Sequence, residues 1–373
     1  MIWKKKILKF WNYGPIIFLK KMAINSQNVP SSALFSEEEL NAEAARLYEN
    51  LKNLQWSLDV CRDIADLTLE INLLKKKKNI VILAHSYQTP DIIYGIADHK
   101  GDSYGLSKTA QQVKAKGILF AGVHFMAETA KILNPEKDVF ISDRNAGCSL
   151  AESITAEDVK KLKKEHPGIP VISYINTSAA VKAETDIIVT SSNAPKIIRT
   201  LESEGHKKLI FLPDKLMGSN LKNMFPNIEF IGWDGVCIVH KEFSKEKVHF
   251  YREQFGNDLH ILVHTECAPE VVSEANAAGG TGDMINYIKE NPNAKKIMLV
   301  TECGFVDRLK VDFPDREFVG SCNLCPYMKK ITLWNILETL RSPKPENIIT
   351  LDETLRINAL KSIQQMFKYT EKK

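Results

Sequence analysis

The chain has no run of apolar residues approaching the roughly 18 that a membrane-spanning helix requires, so the sequence offers no candidate span of that kind. It is also poor in cysteine, with seven in 373 residues, an odd number widely scattered. That scatter excludes the dense disulfide framework of a small secreted protein and favours reduced thiols in a cytoplasmic protein, some of them metal ligands. Surplus charge is absent as well. The net charge is +4, but residues 1–22 hold six lysines (Lys4, Lys5, Lys6, Lys9, Lys20 and Lys21) and no acid, which leaves −2 for the rest. A near-neutral body carries no nucleic-acid footprint. The basic N-terminus lacks the makings of a secretion signal. Its apolar run, Pro15 to Leu19, falls short of an h-region of about 7–15 residues, and no small-residue cleavage site follows. It reads as an extension outside the fold, with Met22 as an alternative start and a peripheral membrane contact as the lesser reading.

What is present is ordinary globular material, 44% hydrophobic and 26% charged, in a chain long enough for two or three domains. Residues 36–74 read as helical. Ser36 and Glu39 form a capping box, and Leu40, Ala44, Leu47, Tyr48 and Leu51 follow at helical spacing. After Lys75–Lys78 the pattern becomes short β-branched strands alternating with helical segments, the mark of parallel α/β architecture.

That alternation has a period. One set of strands ends in a polar side chain: Val81 to His85, Val171 to Tyr174 and Ile261 to His264, whose last residues lie 89 and 90 apart. A second set runs Ile118–Phe120, Leu209–Phe211 and Ile297–Leu299. The third runs into cysteine each time, Val139–Ile141 to Cys148, Glu229–Ile231 to Cys237 and Glu317–Val319 to Cys325, at spacings of 89 and 88. Helical segments follow each cysteine, with Thr155 and Asp158 forming a capping box in the first repeat. Generic α/β quasi-periodicity would match element types but not the reactive residues at the strand ends, so the chain reads as a triplication. Ligands of open parallel sheets sit beyond the carboxyl ends of the strands. Three such units around a pseudo-threefold axis would aim those residues at one central site.

Three converging thiolates repel one another and need a cation, and soft thiolates suit zinc or an iron–sulfur cluster. Three cysteines on a four-iron cube would leave one iron open as a Lewis acid, whereas zinc with three cysteines and an open place is the competing assignment. Cys322 makes a CxxC with Cys325, either a redox pair or half a zinc site, but only Cys325 holds the repeat position. Cys322 is therefore expected to be a bystander or a reversible disulfide partner. Cys61 is expected in a helical core, and Cys267 and Cys303 as packed thiols.

The blocks around these positions resemble the quinolinate synthase family. They are Ala84-His85-Ser86-Tyr87-Gln88, Gly101-Asp102-Ser103, Gly122-Val123-His124-Phe125-Met126-Ala127-Glu128-Thr129-Ala130, and Ala146-Gly147-Cys148-Ser149-Leu150. Tyr174-Ile175-Asn176, Thr190-Ser191-Ser192-Asn193, Cys237-Ile238-Val239-His240, His264-Thr265-Glu266-Cys267 and Cys325-Pro326-Tyr327-Met328-Lys329 follow in the family's order. The match covers roughly 76–345. It implies three homologous αβα sandwich domains with short parallel sheets around a pseudo-threefold axis. It also implies a [4Fe–4S] cluster held by Cys148, Cys237 and Cys325. The reaction implied is condensation of iminoaspartate with dihydroxyacetone phosphate to quinolinate, phosphate and water, in NAD biosynthesis. An L-aspartate oxidase is the expected supplier of the unstable imine.

Within that frame Glu266 is the expected general base, with His264 beside it, although alternation along a strand would send the two to opposite faces unless the strand has turned. Tyr87 and Tyr174 are expected to move protons or bind near the open iron. His85 and His240 suit substrate carboxylates or phosphate, and Asn176 can orient a substrate through its amide. Ser103, Ser191 and Thr281 hold similar repeat positions ahead of helical stretches, where hydroxyls and amides bind anions. Two residues depart from the family pattern. Gly280 stands in Gly279-Gly280-Thr281-Gly282 where the family has serine, an expected loss of about 0.5–1.5 kcal/mol of binding. Asp234 replaces a proline upstream of Cys237.

The expected domain boundaries are 1–75, 76–165, 166–253, 254–345 and 346–373. The alternatives are another cluster-dependent hydro-lyase and, in a different class, an electron carrier or zinc-stabilised protein.

Overall fold

The computed structural model describes residues 34–372; the lysine-rich segment and Met22 lie outside the described residues. Helix α1 (Glu37–Leu51) opens on the expected capping box, in which the Ser36 N–H donates to the Glu39 carboxylate at 2.7 Å and the Glu39 N–H to Ser36 Oγ at 3.3 Å. The helical stretch is not continuous. The chain turns after Leu51, passes Gln55 in the left-handed region at φ 61°, and restarts as α2 (Leu58–Lys78) with Ser57 as cap. The four lysines Lys75–Lys78 fill the last turn of α2, where the helix dipole favours cations.

Three units follow. The first comprises β1 (Ile80–His85), α3 (Pro90–Gly95), β2 (His99–Gly101), α4 (Ser103–Gln112), β3 (Gly117–Ala121), α5 (His124–Leu133) and β4 (Asp138–Phe140). Helix α6 (Ala156–Glu165) leads to the second, β5 (Val171–Tyr174), α7 (Ala179–Glu184), β6 (Ile187–Val189), α8 (Ala194–Ser203), β7 (Lys208–Leu212), α9 (Lys215–Met224) and β8 (Glu229–Ile231). Helix α10 (Lys245–Phe255) leads to the third. It comprises β9 (Leu259–His264), α11 (Pro269–Val272), β10 (Ala277–Gly279), α12 (Thr281–Glu290), β11 (Lys296–Val300), α13 (Cys303–Asp312) and β12 (Glu317–Val319). Two further helices, α14 (Leu333–Arg341) and α15 (Glu353–Glu371), complete the described chain.

The sheets share one topology: β2-β1-β3-β4, β6-β5-β7-β8 and β10-β9-β11-β12, every pair parallel. Their central strands are largely apolar and fully buried at Ile82, Leu83, Ile118, Leu119, Ile172 and Ile297. Such runs belong to sheets covered by helices on both faces. The triplication expected from the 89-residue period is therefore a triplication of topology too. The flanking segments brace it. Helix α2 packs on α14 and β1, and α15 packs on α7 and β6. Residues 347–349 run antiparallel along β4, through Ile141 N–H to Asn347 O and Ile349 N–H to Val139 O, both 2.9 Å.

Candidate active site

The first strand of each unit ends on the residue that the sequence singles out, His85, Tyr174 and His264. Beyond the two histidines the backbone turns at once. Gln88 N–H bonds His85 O and Cys267 N–H bonds His264 O, both at 2.9 Å, while Tyr87 N–H and Glu266 N–H reach His85 Nδ1 at 3.2 Å and His264 Nδ1 at 3.3 Å. This turn answers the alternation problem. Glu266 swings back beside His264, with Oε1 3.7 Å from Nδ1. The turn after β5 is held differently, by the wholly buried Lys182, which donates to Ile175 O at 2.9 Å and to Thr177 O. All the expected residues line one cavity: His85, Tyr87, Ser103, Tyr174, Asn176, Ser191, His240, His264, Glu266 and Thr281, with Cys148, Cys237 and Cys325.

Glu266 is the hub. Its Oε1 accepts from the Tyr174 hydroxyl at 2.5 Å, and its Oε2 lies 3.0 Å from His240 Nδ1. Burial pushes this carboxyl up, but His240, His264 and the two hydrogen bonds more than reverse the effect, so Glu266 is held ionised below the usual carboxylate range. Burial, reinforced by Glu266, raises the Tyr174 phenol well above its ordinary value, which keeps it a proton donor. Burial lowers His85 and His264 to about 3, with Arg308 adding to the effect at His85 and the neighbouring His240 at His264, so both rings are neutral at pH 7. His240 stacks on His264 with ring centroids 4.4 Å apart.

The three cysteine loops repeat one backbone motif. The second and third N–H groups after each sulfur point back at it: Leu150 and Ala151 at Cys148, Val239 and His240 at Cys237, Tyr327 and Met328 at Cys325. Burial raises all three thiols, Cys148 to about 12, so they become thiolates only with a cation between them. Paired N–H donors around three part-buried cysteines on one cavity fit a thiolate-bound metal centre. A rival set, Cys237, His240 and Glu266, has ligand atoms within 4.8 Å of one another. It would leave Cys148 and Cys325 with their N–H donors and no cation, so the three-cysteine set accounts for more of the site.

The other cysteines sort as follows. Cys61 and Cys267 are buried and free, as expected. Cys303 is not merely packed: it forms a disulfide with Cys322. Cys322 is thus bonded across to the N-terminus of α13 and not to Cys325. Next to Cys303, the fully buried Glu302 accepts the Cys325 N–H at 3.1 Å and pairs with Lys329 at 3.0 Å, which fixes the third cysteine loop.

The residues expected to bind anions gather at one junction. Ser103 and Thr281 open α4 and α12, capped by Asp102 and Gly280. Ser191 lies in the turn before α8 and not at its first residue, because the helix begins only at Ala194. A Cβ on Gly280 would meet Ser191 Oγ at 2.5 Å, and one on Gly282 would meet Asp102 Oδ2 at 2.8 Å. The glycines therefore let these turns approach closely. Asp234 pairs with Lys215 at 2.9 Å on the exposed loop before Cys237. Sequence reasoning missed Lys182, Glu302 and Thr301, whose signal was available: each lies at or just past a unit's repeated strand or helix start.

The fold and site define a triplicated α/β protein of the enzyme type, with three cysteine loops and a group of histidine, tyrosine and glutamate side chains lining one cavity. The family model of the Quinolinate synthetase A protein matches residues 69–368. The quinolinate synthase of Xylella fastidiosa strain Temecula1 is 47% identical over 79% of this chain and 84% of its own length. That of strain 9a5c is 44% identical over 88% and 99%, and quinolinate synthase 1 of Mesorhizobium japonicum 43% over 87% and 97%. The chain belongs to the quinolinate synthase family, and that family implies an iron–sulfur cluster. Among the described residues no helix is long and apolar enough to cross a membrane.

Proposed function

We propose that this protein is a quinolinate synthase, condensing iminoaspartate with dihydroxyacetone phosphate to quinolinate, phosphate and water in NAD biosynthesis. The observation that carries this reading is the cavity shared by all three units, with three N–H-supported cysteines on one side and ionised Glu266 between Tyr174 and His240 on the other. Cys148, Cys237 and Cys325 would hold a [4Fe–4S] cluster, one per chain. When bound, such a cluster supplies an open iron that withdraws electrons from a substrate oxygen.

The chain's own groups do the rest. Glu266 takes the proton from the substrate carbon or nitrogen, and its ionised state suits it to that role. Tyr174, already donating to Glu266 at 2.5 Å, returns a proton to a leaving oxygen. Neutral His264 and His85, whose Nδ1 atoms accept backbone N–H groups, offer their Nε2–H to substrate carboxylate, carbonyl or phosphate oxygens. Asn176 orients a substrate through its amide. Ser103, Ser191 and Thr281, with the amides opening α4 and α12, hold the dianionic carboxylate and phosphate ends. His240, wedged between Glu266 and Cys237 Sγ at 3.0 and 3.2 Å, keeps the base aimed.

The boundaries 76–165, 166–253 and 254–345 are the proposed limits of the three domains, flanked by 1–75 and 346–373. An L-aspartate oxidase is the proposed source of the imine, and five unpaired cysteines suit a cytoplasmic location. Anaerobically purified protein should contain iron and labile sulfide and should form quinolinate from dihydroxyacetone phosphate and freshly generated iminoaspartate. Zinc without sulfide would overturn the cofactor, and no quinolinate from a fully loaded protein would overturn the reaction.

A further inference from the structure

Tyr87, Asn176 and Glu266 are equivalent residues, two past the strand end in each unit, and all three line the cavity. Two of them are aimed by side-chain bonds to another unit. The Tyr87 hydroxyl lies 2.8 Å from Thr301 Oγ1, and Glu266 is held by Tyr174 and His240. The Asn176 amide has no hydrogen-bond partner among the described residues, so its direction depends on its backbone.

That backbone is held from a single point. Thr177 N–H donates to Ile175 O at 2.8 Å, closing a three-residue turn with Asn176 at its centre. Lys182 Nζ donates to Ile175 O at 2.9 Å and to Thr177 O, one on each side of Asn176. Both donors are fixed by chemistry, because a carbonyl oxygen can only accept. Nζ also lies over the Phe125 ring of the first unit, 5.3 Å from its centroid.

The repeated architecture does not require a lysine at this position. Lys182 lies eight residues past its strand end, and the same place in the other units holds Ile93 and Val272. In those units the strand-end histidine steadies the turn, its Nδ1 accepting the N–H of Tyr87 or of Glu266. Tyr174 ends the second strand and has no ring nitrogen to do so. A fully buried lysine is costly unless its donors are met, and here they are spent on the turn around Asn176. Resting on the quinolinate synthase reading, we propose that Lys182 is a positioning residue that takes the place of the missing imidazole and holds Asn176 in the direction that binds one substrate.

The test compares the loaded wild type with Lys182→Met, Asn176→Ala, the double variant and Ser362→Ala, measuring iron content and the KM and kcat of both substrates. Methionine keeps the unbranched apolar stem and removes the donor. Asn176→Ala should raise the KM of one substrate by about three- to tenfold, the scale of one lost hydrogen bond. Lys182→Met should raise the KM of that same substrate by a similar factor, with the same split between KM and kcat. It should leave the other KM and the iron content within about twofold of wild type, and add nothing in the Asn176→Ala chain. Ser362, on α15, places Oγ 2.8 Å from Lys182 O, so Ser362→Ala loosens α7 without touching Nζ and should change neither KM. Unchanged KM in Lys182→Met overturns the proposal, as does a rise for the other substrate or an additive effect in the double variant. An equal rise in Ser362→Ala, or a matching loss of iron in Lys182→Met, would make the role merely structural and overturn it too. Asn176→Ala without effect on either KM removes the group to be positioned, with the same result. A wild type that makes no quinolinate would overturn the functional reading instead, so the two failures are distinct. Should the methionine chain not fold, Lys182→Gln, whose donor is one atom short, should raise the same KM and carries the test.

Discussion

The cysteine ring and the strand-end ring are built from the same three repeats, yet one keeps the threefold symmetry and the other breaks it. At the cysteine loops each unit presents a sulfur and two backbone N–H groups in the same relation. At the strand ends the equivalent side chains are His85, Tyr174 and His264, then Tyr87, Asn176 and Glu266. Backbone donors survive divergence because any side chain allows them, which suits a symmetric inorganic group. The two unlike substrates of the proposed reaction need unlike partners, and the strand-end side chains are the ones proposed to supply them.

The largest effect should come from breaking the symmetric ring. Cys148→Ala should lose the metal centre altogether, with iron and sulfide at background, whereas Cys322→Ser, which removes only the bond to Cys303, should retain the full complement. Iron held by the alanine variant would put the centre elsewhere.

Breaking the asymmetric ring should leave iron in place and remove turnover. Glu266→Gln keeps the shape and should lower kcat by about 10²–10⁴-fold, the usual contribution of a general base. Equal loss of iron would place Glu266 among the ligands instead.

A smaller effect is expected where the units meet at the anion junction. Gly280→Ala puts a Cβ 2.5 Å from Ser191 Oγ. It should raise KM about threefold, the scale of one displaced hydrogen bond, and Ser191→Gly in the same chain should relieve the crowding.

The smallest effect is a pH dependence of stability. His85 titrates near 3 when folded against about 6.5 when unfolded. Between those values the unfolded chain binds the extra proton, so stability falls as pH drops below 6.5, by up to ~1.4 kcal/mol per pH unit for this ring, and is indifferent to it above. Thermal melts from pH 7 to 5 should show that slope, and His85→Gln should remove only the His85 share, because His264 is lowered in the same way and contributes its own.

Much of this was legible before any coordinates. Short β-branched runs recurring at 89 and 90 residues between helical segments read as parallel strands, so β1, β5 and β9 and their terminal residues could be placed from periodicity. The capping boxes at Ser36 and Thr155 depend on local geometry alone and were equally plain. The break between α1 and α2 was not, because Gln55 adopts a left-handed conformation that its residue type does not advertise. Nor was the partner of Cys322, since the nineteen residues to Cys303 fold back through β12 before the two sulfurs meet.

The sequence by itself determined the threefold repeat, the three cysteines and the identity of the polar residues at the strand ends. These follow from spacing and residue chemistry, which are local. Only the tertiary structure decided that Glu266 turns back toward His264, that Tyr174 and His240 hold its two oxygens, and that Thr301 ties Tyr87 to His240 across three units. Apart from the local turn at His264, those contacts join residues from 26 to 214 positions apart, and their geometry is set by the packing of whole sheets, which no local pattern encodes.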